Sequence, residues 1–218
     1  MKQLLNRLFG GRDAKPDAPP NAAPVAPRPV IIVSGLPRSG TSMMMKVLEA
    51  GGLPVVSDGL RTADTDNPEG YYEFERVKAL DKGDTEWVAD ARGKVVKVIS
   101  ALLEYLPAGH QYRVIFMHRQ IEEVLRSQRK MLERRGENPD SVNDAEMAAL
   151  FAKHLDKVQS WLRSQPNFVV LDVDYNQMLA DPLPHIQAIN RFLGGTLDEA
   201  RMASVVNPDL YRNRAAQS

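Results

Sequence analysis

Residues 30–50 constrain the fold more than any other stretch of the chain. Val30, Ile31, Ile32 and Val33 form a β-branched run that reads as a buried strand. The loop Gly35-Leu-Pro-Arg-Ser-Gly40-Thr41-Ser42 follows, and then Met44, Val47 and Leu48 recur at helical spacing. A strand, two glycines five apart and a helix make the pattern of a phosphate-binding loop, except that Thr41 stands where that pattern has lysine. The anion-binding physics survives the exchange. Gly35 and Gly40 let the backbone wrap an anion, and the N–H groups that open the helix point at it. Ser39, Thr41 and Ser42 add hydroxyl donors, and Arg38 brings a fixed positive charge into the loop. The competing reading is an ordinary glycine-rich turn between strand and helix.

The remaining chain supports one α/β domain over residues 30–218. At 218 residues, 43% hydrophobic and 26% charged, it is long enough for one well-buried soluble core. Lys and Arg together number 28 and balance 28 Asp and Glu, so no global charge points to nucleic acid. The absence of cysteine excludes disulfides, thiol catalysis and Cys-ligated metals, and it permits a reducing compartment. Residues 1–29 carry six prolines and read as a disordered, Pro-rich tail. Leu4, Leu5, Leu8 and Phe9 share one helical side there, which suits either a frayed end or a weak contact with a membrane surface or a partner. That stretch is too short for a signal peptide or a transmembrane span, and the expected location is cytoplasmic.

Strand signals recur at residues 53–56, 93–100, 112–119 and 168–174, with helical spacing over 120–135, 143–164 and up to about 204. Alternation of this kind predicts a three-layer fold around a largely parallel five-stranded sheet. Lys97 falls in the middle of its expected strand, where a sheet buried on both faces does not favour a charge. Ser141 and Asp144 suggest a capping box for the long helix, and His154 borders that helix's apolar stripe as a packed or surface residue. Asp64, Asp66 and Asn67 have the wrong spacing for a calcium loop. Residues 67–75 set two tyrosines among Glu69, Glu73 and Glu75, a mixture suited to an acceptor pocket or, alternatively, to an acidic helix start.

Residues 37–42, Pro-Arg-Ser-Gly-Thr-Ser, resemble the 5′-phosphosulfate-binding loop of sulfotransferases that use 3′-phosphoadenosine 5′-phosphosulfate (PAPS). Arg119, at the end of a strand, and Ser127, eight residues on in a helix, resemble that family's 3′-phosphate-binding pair. Three weaker likenesses join them: Asn-Pro-x-Gly followed by two aromatics and a glutamate at 67–73, Lys97 near a strand end, and Asp174-Tyr175 with Asp181-Pro182 beyond. Two departures matter. Ile99 stands where many animal and plant members carry a catalytic histidine, and the usual C-terminal Arg-Lys-Gly pattern is missing.

The resemblance implies a P-loop NTPase-like sulfotransferase fold and in-line transfer of a sulfuryl group from PAPS to a hydroxyl or amine, without a metal. Gly35, Arg38, Ser39, Gly40, Thr41 and Ser42 would bind the 5′-phosphosulfate. Arg38 and Lys97 would stabilise charge on the bridging oxygen. Arg119, Ser127 and, from the C-terminal tail, Arg212 would hold the 3′-phosphate. The candidates for the base are Glu73, then Glu69, then His118. The acceptor is left open among small molecules, carbohydrates, lipids and peptide tyrosine, as is the oligomeric state. Two alternatives stand beside this reading: a P-loop kinase for a nucleoside or small molecule, and a non-catalytic nucleotide-binding module.

Overall fold

The computed structural model describes residues 28–59, 72–134, 136–138 and 143–206. The Pro-rich tail before residue 28, Glu69, Ser141 and the basic segment with Arg212 lie outside them. Five strands, β1 (Val30–Gly35), β2 (Val55–Val56), β3 (Val95–Lys97), β4 (Tyr112–His118) and β5 (Phe168–Asp174), pair in the order β2-β3-β1-β4-β5. Every pairing is parallel. β1 is central, so its β-branched run meets a neighbour on each edge and a helical layer on each face, and all six residues are buried.

Side chains alternate across the sheet and feed two separate cores. Val30 and Ile32, Val96 and Val98, and Tyr112, Val114 and Phe116 point into one. That layer is built from 3₁₀ segments (Glu75–Lys82, Glu86–Val88, Ser100–Tyr105) and from the helix α3 (Asp144–Ser164). Ile31, Val33, Val95, Ile115 and Met117 point into the other. There they meet α1 (Thr41–Ala50), α4 (Tyr175–Ala180), α5 (Pro182–Leu193) and α6 (Glu199–Ser204). The helix α2 (Ile121–Arg134) leaves the end of β4. Each fully buried Val or Ile contributes roughly 1.5–3 kcal/mol relative to an exposed one, which makes the double-sided centre the stiffest part of the molecule.

Several expectations shift in instructive ways. β3 ends at Lys97 instead of running through it, so the cation sits at the rim, where its ammonium can leave the core. Asn143 caps α3, with its side-chain oxygen accepting from the Ala145 N–H at 2.8 Å. Pro182 opens α5 at a position where no N–H is needed. The 3₁₀ segments over residues 75–88 carry no apolar period that a sequence reading could register, yet they bury Val77, Leu80, Trp87 and Val88.

Candidate functional site

Chain direction reverses around β1: the connection after it leads to β2 and β3, whereas β4 and β5 lie on its other side. A crevice therefore opens at the carboxyl ends of the strands, the place where open parallel sheets bind ligands. The loop of residues 35–42 lies there.

Its backbone is shaped for close approach. Gly35 has φ 146° and Gly40 φ 95°, and even Arg38 takes a left-handed φ of 70°. A Cβ on Gly35 would stand 2.6 Å from the Met117 carbonyl oxygen, and one on Gly40 would run into the Tyr175 ring. Both glycines are needed for space as well as for φ. The buried Ser39 hydroxyl donates to the Leu36 carbonyl at 2.7 Å and tightens the turn. α1 starts at Thr41 with no side-chain cap and no acidic residue in its first turn. Its opening N–H groups have no intrahelical acceptor, which leaves a local field suited to an anion.

Residues far apart in sequence converge on this loop. Arg38 Nε donates to Ser127 Oγ at 2.9 Å, and Arg119 Nη1 donates to the Arg38 carbonyl at 3.0 Å. The two sequence motifs therefore form one connected surface. Lys97 Nζ donates to Ser42 Oγ at 3.4 Å, bringing β3 to the start of α1. Thus Arg38, Ser42, Lys97, Arg119 and Ser127 line one crevice, with Gly35, Ser39, Gly40 and Thr41 forming the turn between them.

The Glu73 carboxylate is 3.5 Å from Lys78 Nζ, and its carbonyl accepts from Ser57 Oγ at 3.2 Å. Of the two tyrosines in residues 67–75, Tyr72 is among the described residues. Its hydroxyl donates to Glu49 on α1 at 2.7 Å, and its ring packs on the core. His118 meets the Asp172 carboxylate at 2.6 Å, and the imidazole holds that carboxyl below its usual range.

Glu123 and Asn176 escaped the sequence reading, as did the part Tyr175 plays beside Arg119. Glu123, fully buried on α2, accepts from Arg119 Nε at 3.0 Å and from Asn176 Nδ2 at 3.0 Å. The Arg119 guanidinium lies over the Tyr175 ring at 4.5 Å. Burial pushes the Tyr175 phenol up, so this ring stays neutral beneath the cation. Arg119 is thereby held from its edge and its face, and its orientation toward the crevice is fixed. The Arg119–Glu123 separation of four residues, from the strand end across the junction into α2, was the available clue.

The donor set at the crevice consists of cations, hydroxyls and backbone N–H groups, and its buried carboxylate is already neutralised by Arg119. Among the described residues, no group of three or more His, Asp or Glu side chains is placed to hold a metal ion.

A sulfotransferase family model matches residues 70–199, more than half of the chain. The chain belongs to the sulfotransferase family. The match begins past the glycine loop, so the loop enters the site through its contacts with Arg119 and Ser127. Two solved sulfotransferases share the fold. One is STF1 from Mycobacterium tuberculosis H37Rv, at 17% identity and a TM-score of 0.51, covering 84% of this chain and 71% of that one. The other is the mouse sulfotransferase SULT7A1, solved in complex with PAP, at 18% identity and a TM-score of 0.52, covering 86% and 67%. No match is found among curated proteins. As a sulfotransferase fold, the molecule has its loop, its β3 lysine and its strand-end arginine on a single rim of the sheet.

Proposed function

We propose that this sulfotransferase transfers a sulfuryl group from PAPS to a hydroxyl or amine acceptor. The observation that carries the reading is the Arg38–Ser127 hydrogen bond at 2.9 Å with the Arg119–Arg38 contact beside it. Together they join the glycine loop to the strand-end arginine, which supports a reading with two anion-binding centres side by side. A donor with a 5′-phosphosulfate and a 3′-phosphate on one nucleoside has that pair of charges.

In this reading the loop N–H groups with Ser39, Thr41 and Ser42 hold the 5′ end between Gly35 and Gly40, and Arg119 with Ser127 holds the 3′-phosphate, assisted by Arg212 from the tail. PAPS supplies an activated sulfuryl group whose loss leaves charge on a bridging oxygen. Arg38 and Lys97 are the cations that meet this charge. Fixed charges aimed where charge develops are worth more at a rim shielded from water than in bulk solvent. The chain's residues position and stabilise, as in phosphoryl transfer, and these cations do the work that a metal does there.

The acceptor's proton needs a base, for which the sequence offers Glu73, Glu69 and His118. No helix among the described residues is long and apolar enough to cross a membrane. We place the reaction in the cytoplasm, which a chain without cysteines permits. Neither the family match nor the two shared folds supports the kinase alternative.

Calorimetry with PAP, the desulfated product, against ATP, each with and without magnesium, tests the donor. Submicromolar PAP binding without metal, lost in Arg119→Ala, is expected. Preference for magnesium–ATP would overturn the assignment.

A further inference from the structure

The α3 layer carries a groove on the face of the sheet opposite the Lys97 side chain, which shares its face with Val95. Ser100, buried just past β3, shares a hydrogen bond of 2.8 Å with His154 Nε2 on α3, and this polar pair marks one end. The cleft between the two elements holds about 110 Å³, with Leu103, Val158 and Trp161 as its apolar wall. Trp161 meets the ring of Phe168, the first residue of β5, edge-on at 5.2 Å, so the groove runs toward the amino edge of the sheet. Two large apolar side chains flank it in solvent. Tyr105, which ends the 3₁₀ segment, is 44% exposed, and Leu150 on α3 is 58% exposed.

The helix side of the groove has a packing rhythm. Leu150, His154, Lys157 and Trp161 recur at intervals of four, three and four residues, the spacing at which one helix lies against another. Lys157 pairs with Glu104 across the groove at 3.6 Å, which balances the charge at its margin and leaves the lysine stem as apolar cover. A seam of this kind receives the apolar face of an amphipathic helix. His154 to Trp161 is about 10.5 Å along α3, and eight helical residues span about 12 Å.

We propose that residues 2–9 of this same chain dock in cis, as a helix, in the groove between the 3₁₀ segment and α3. Leu4, Leu5, Leu8 and Phe9 share one helical side of that segment. Phe9, nearest the rest of the chain, fills the cleft at the Trp161 end, and Leu4 and Leu5 lie toward Leu150. An apolar cavity of roughly 150 Å³ holds a benzene ring, so this cleft takes one aromatic side chain and the leucines cover its flanks.

The length of the tether argues for this occupant. β1 begins at the amino edge, where the Val30 N–H donates to the Gln111 carbonyl at 2.9 Å. Five residues lead from Gln111 back to Leu106 beside the 3₁₀ segment, so the mouth of the groove lies within about 30 Å of Arg28. Residues 10–27 separate Phe9 from Arg28. A flexible chain of that length has a root-mean-square span of about 21–25 Å, and an extended polyproline of that length reaches about 56 Å. The span required falls between the two, where a linker gives an effective concentration on the order of millimolar. A contact too weak to join separate molecules is therefore occupied in cis. An isolated helix of eight residues is marginal in water, and the groove supplies the packing that such a helix lacks alone.

Two measurements on the full chain test the docking. In nuclear magnetic resonance, the Trp161 indole N–H signal, assigned by its loss in Trp161→Phe, should move in Phe9→Ser. The Trp87 signal should stay, because that indole is buried and donates to the Asp84 carbonyl at 3.0 Å. The chain has no cysteine, so engineered pairs can be cross-linked without background. Under mild oxidation Leu8→Cys/Lys157→Cys should close into a monomeric disulfide about tenfold faster than Leu8→Cys/Arg201→Cys, whose second site is exposed on the opposite layer. An unmoved Trp161 signal, equal closure rates, or disulfides that link two chains would each overturn docking in cis. So would vesicles of phosphatidylcholine and phosphatidylserine that bind the wild type and not Phe9→Ser while the Trp161 signal is the same in both; the segment would then face a membrane.

Discussion

The two halves of the rim are built differently. On the β1–β4 side, Arg38, Arg119, Glu123, Ser127, Tyr175 and Asn176 tie into one another through hydrogen bonds, a buried ion pair and a ring face. On the β3 side, Lys97 donates to Ser42 at 3.4 Å, and Ser100 and His154 form a pair beside a cleft. The braced half suits a ligand whose shape never varies, and the looser half is built on less regular elements.

Removal of Arg119 should break the braced half most severely. Arg119→Ala removes the guanidinium paired with the buried Glu123 carboxylate, a loss of about 3–5 kcal/mol in chemical denaturation. The double variant Arg119→Met/Glu123→Leu should recover most of that stability while PAP binding stays absent. If binding returned as well, the arginine's role would be structural only.

Lys97→Ala should act on the other half and on turnover, lowering kcat by about 10²–10³ with PAP affinity within a few-fold. A loss confined to PAP affinity would move Lys97 into the donor cradle.

Gly40→Ala forces a left-handed alanine against the Tyr175 ring, and a cost of about 1–3 kcal/mol with weakened PAP binding is expected from thermal melts and calorimetry. Gly109→Ala, which meets nothing within 4 Å, should stay within about 0.5 kcal/mol.

Glu73→Gln, at the first of the candidates for the base, should lower kcat by about 100-fold with PAP affinity unchanged; a change of less than about threefold would pass the role to Glu69 or His118.

The same asymmetry governs what could be read in advance. The braced half announces itself locally: Gly35 to Ser42 is a contiguous motif, and Arg119 and Ser127 sit at a fixed spacing across a strand end. What escaped there was Glu123 and Tyr175. A glutamate on an amphipathic helix reads as solvent-facing, and only the fold shows that the buried face of α2 has rotated to include Glu123 and Ser127 beside Val124 and Leu125. Asp174-Tyr175 is legible only as a family likeness, and the fold supplies the roles: Asp174 caps α4, accepting from Gln177 at 2.9 Å, and Tyr175 supports the arginine. The open half was mostly invisible. Ser100 and His154 are 54 residues apart with no periodic or motif relation, so tertiary packing alone joins them. The order of strands and the end of β3 at Lys97 are likewise products of pairing and not of local preference.

The central position of β1 also has a consequence for synthesis. Its partners β3 and β4 are encoded well downstream, and Val30 pairs with Tyr112. At roughly 5–20 residues per second, the nascent strand spends about 4–16 s outside or inside the ribosome before its last partner exists. Four consecutive β-branched residues, uncharged and lacking a mate for that interval, make β1 the segment of this chain with most need of a chaperone.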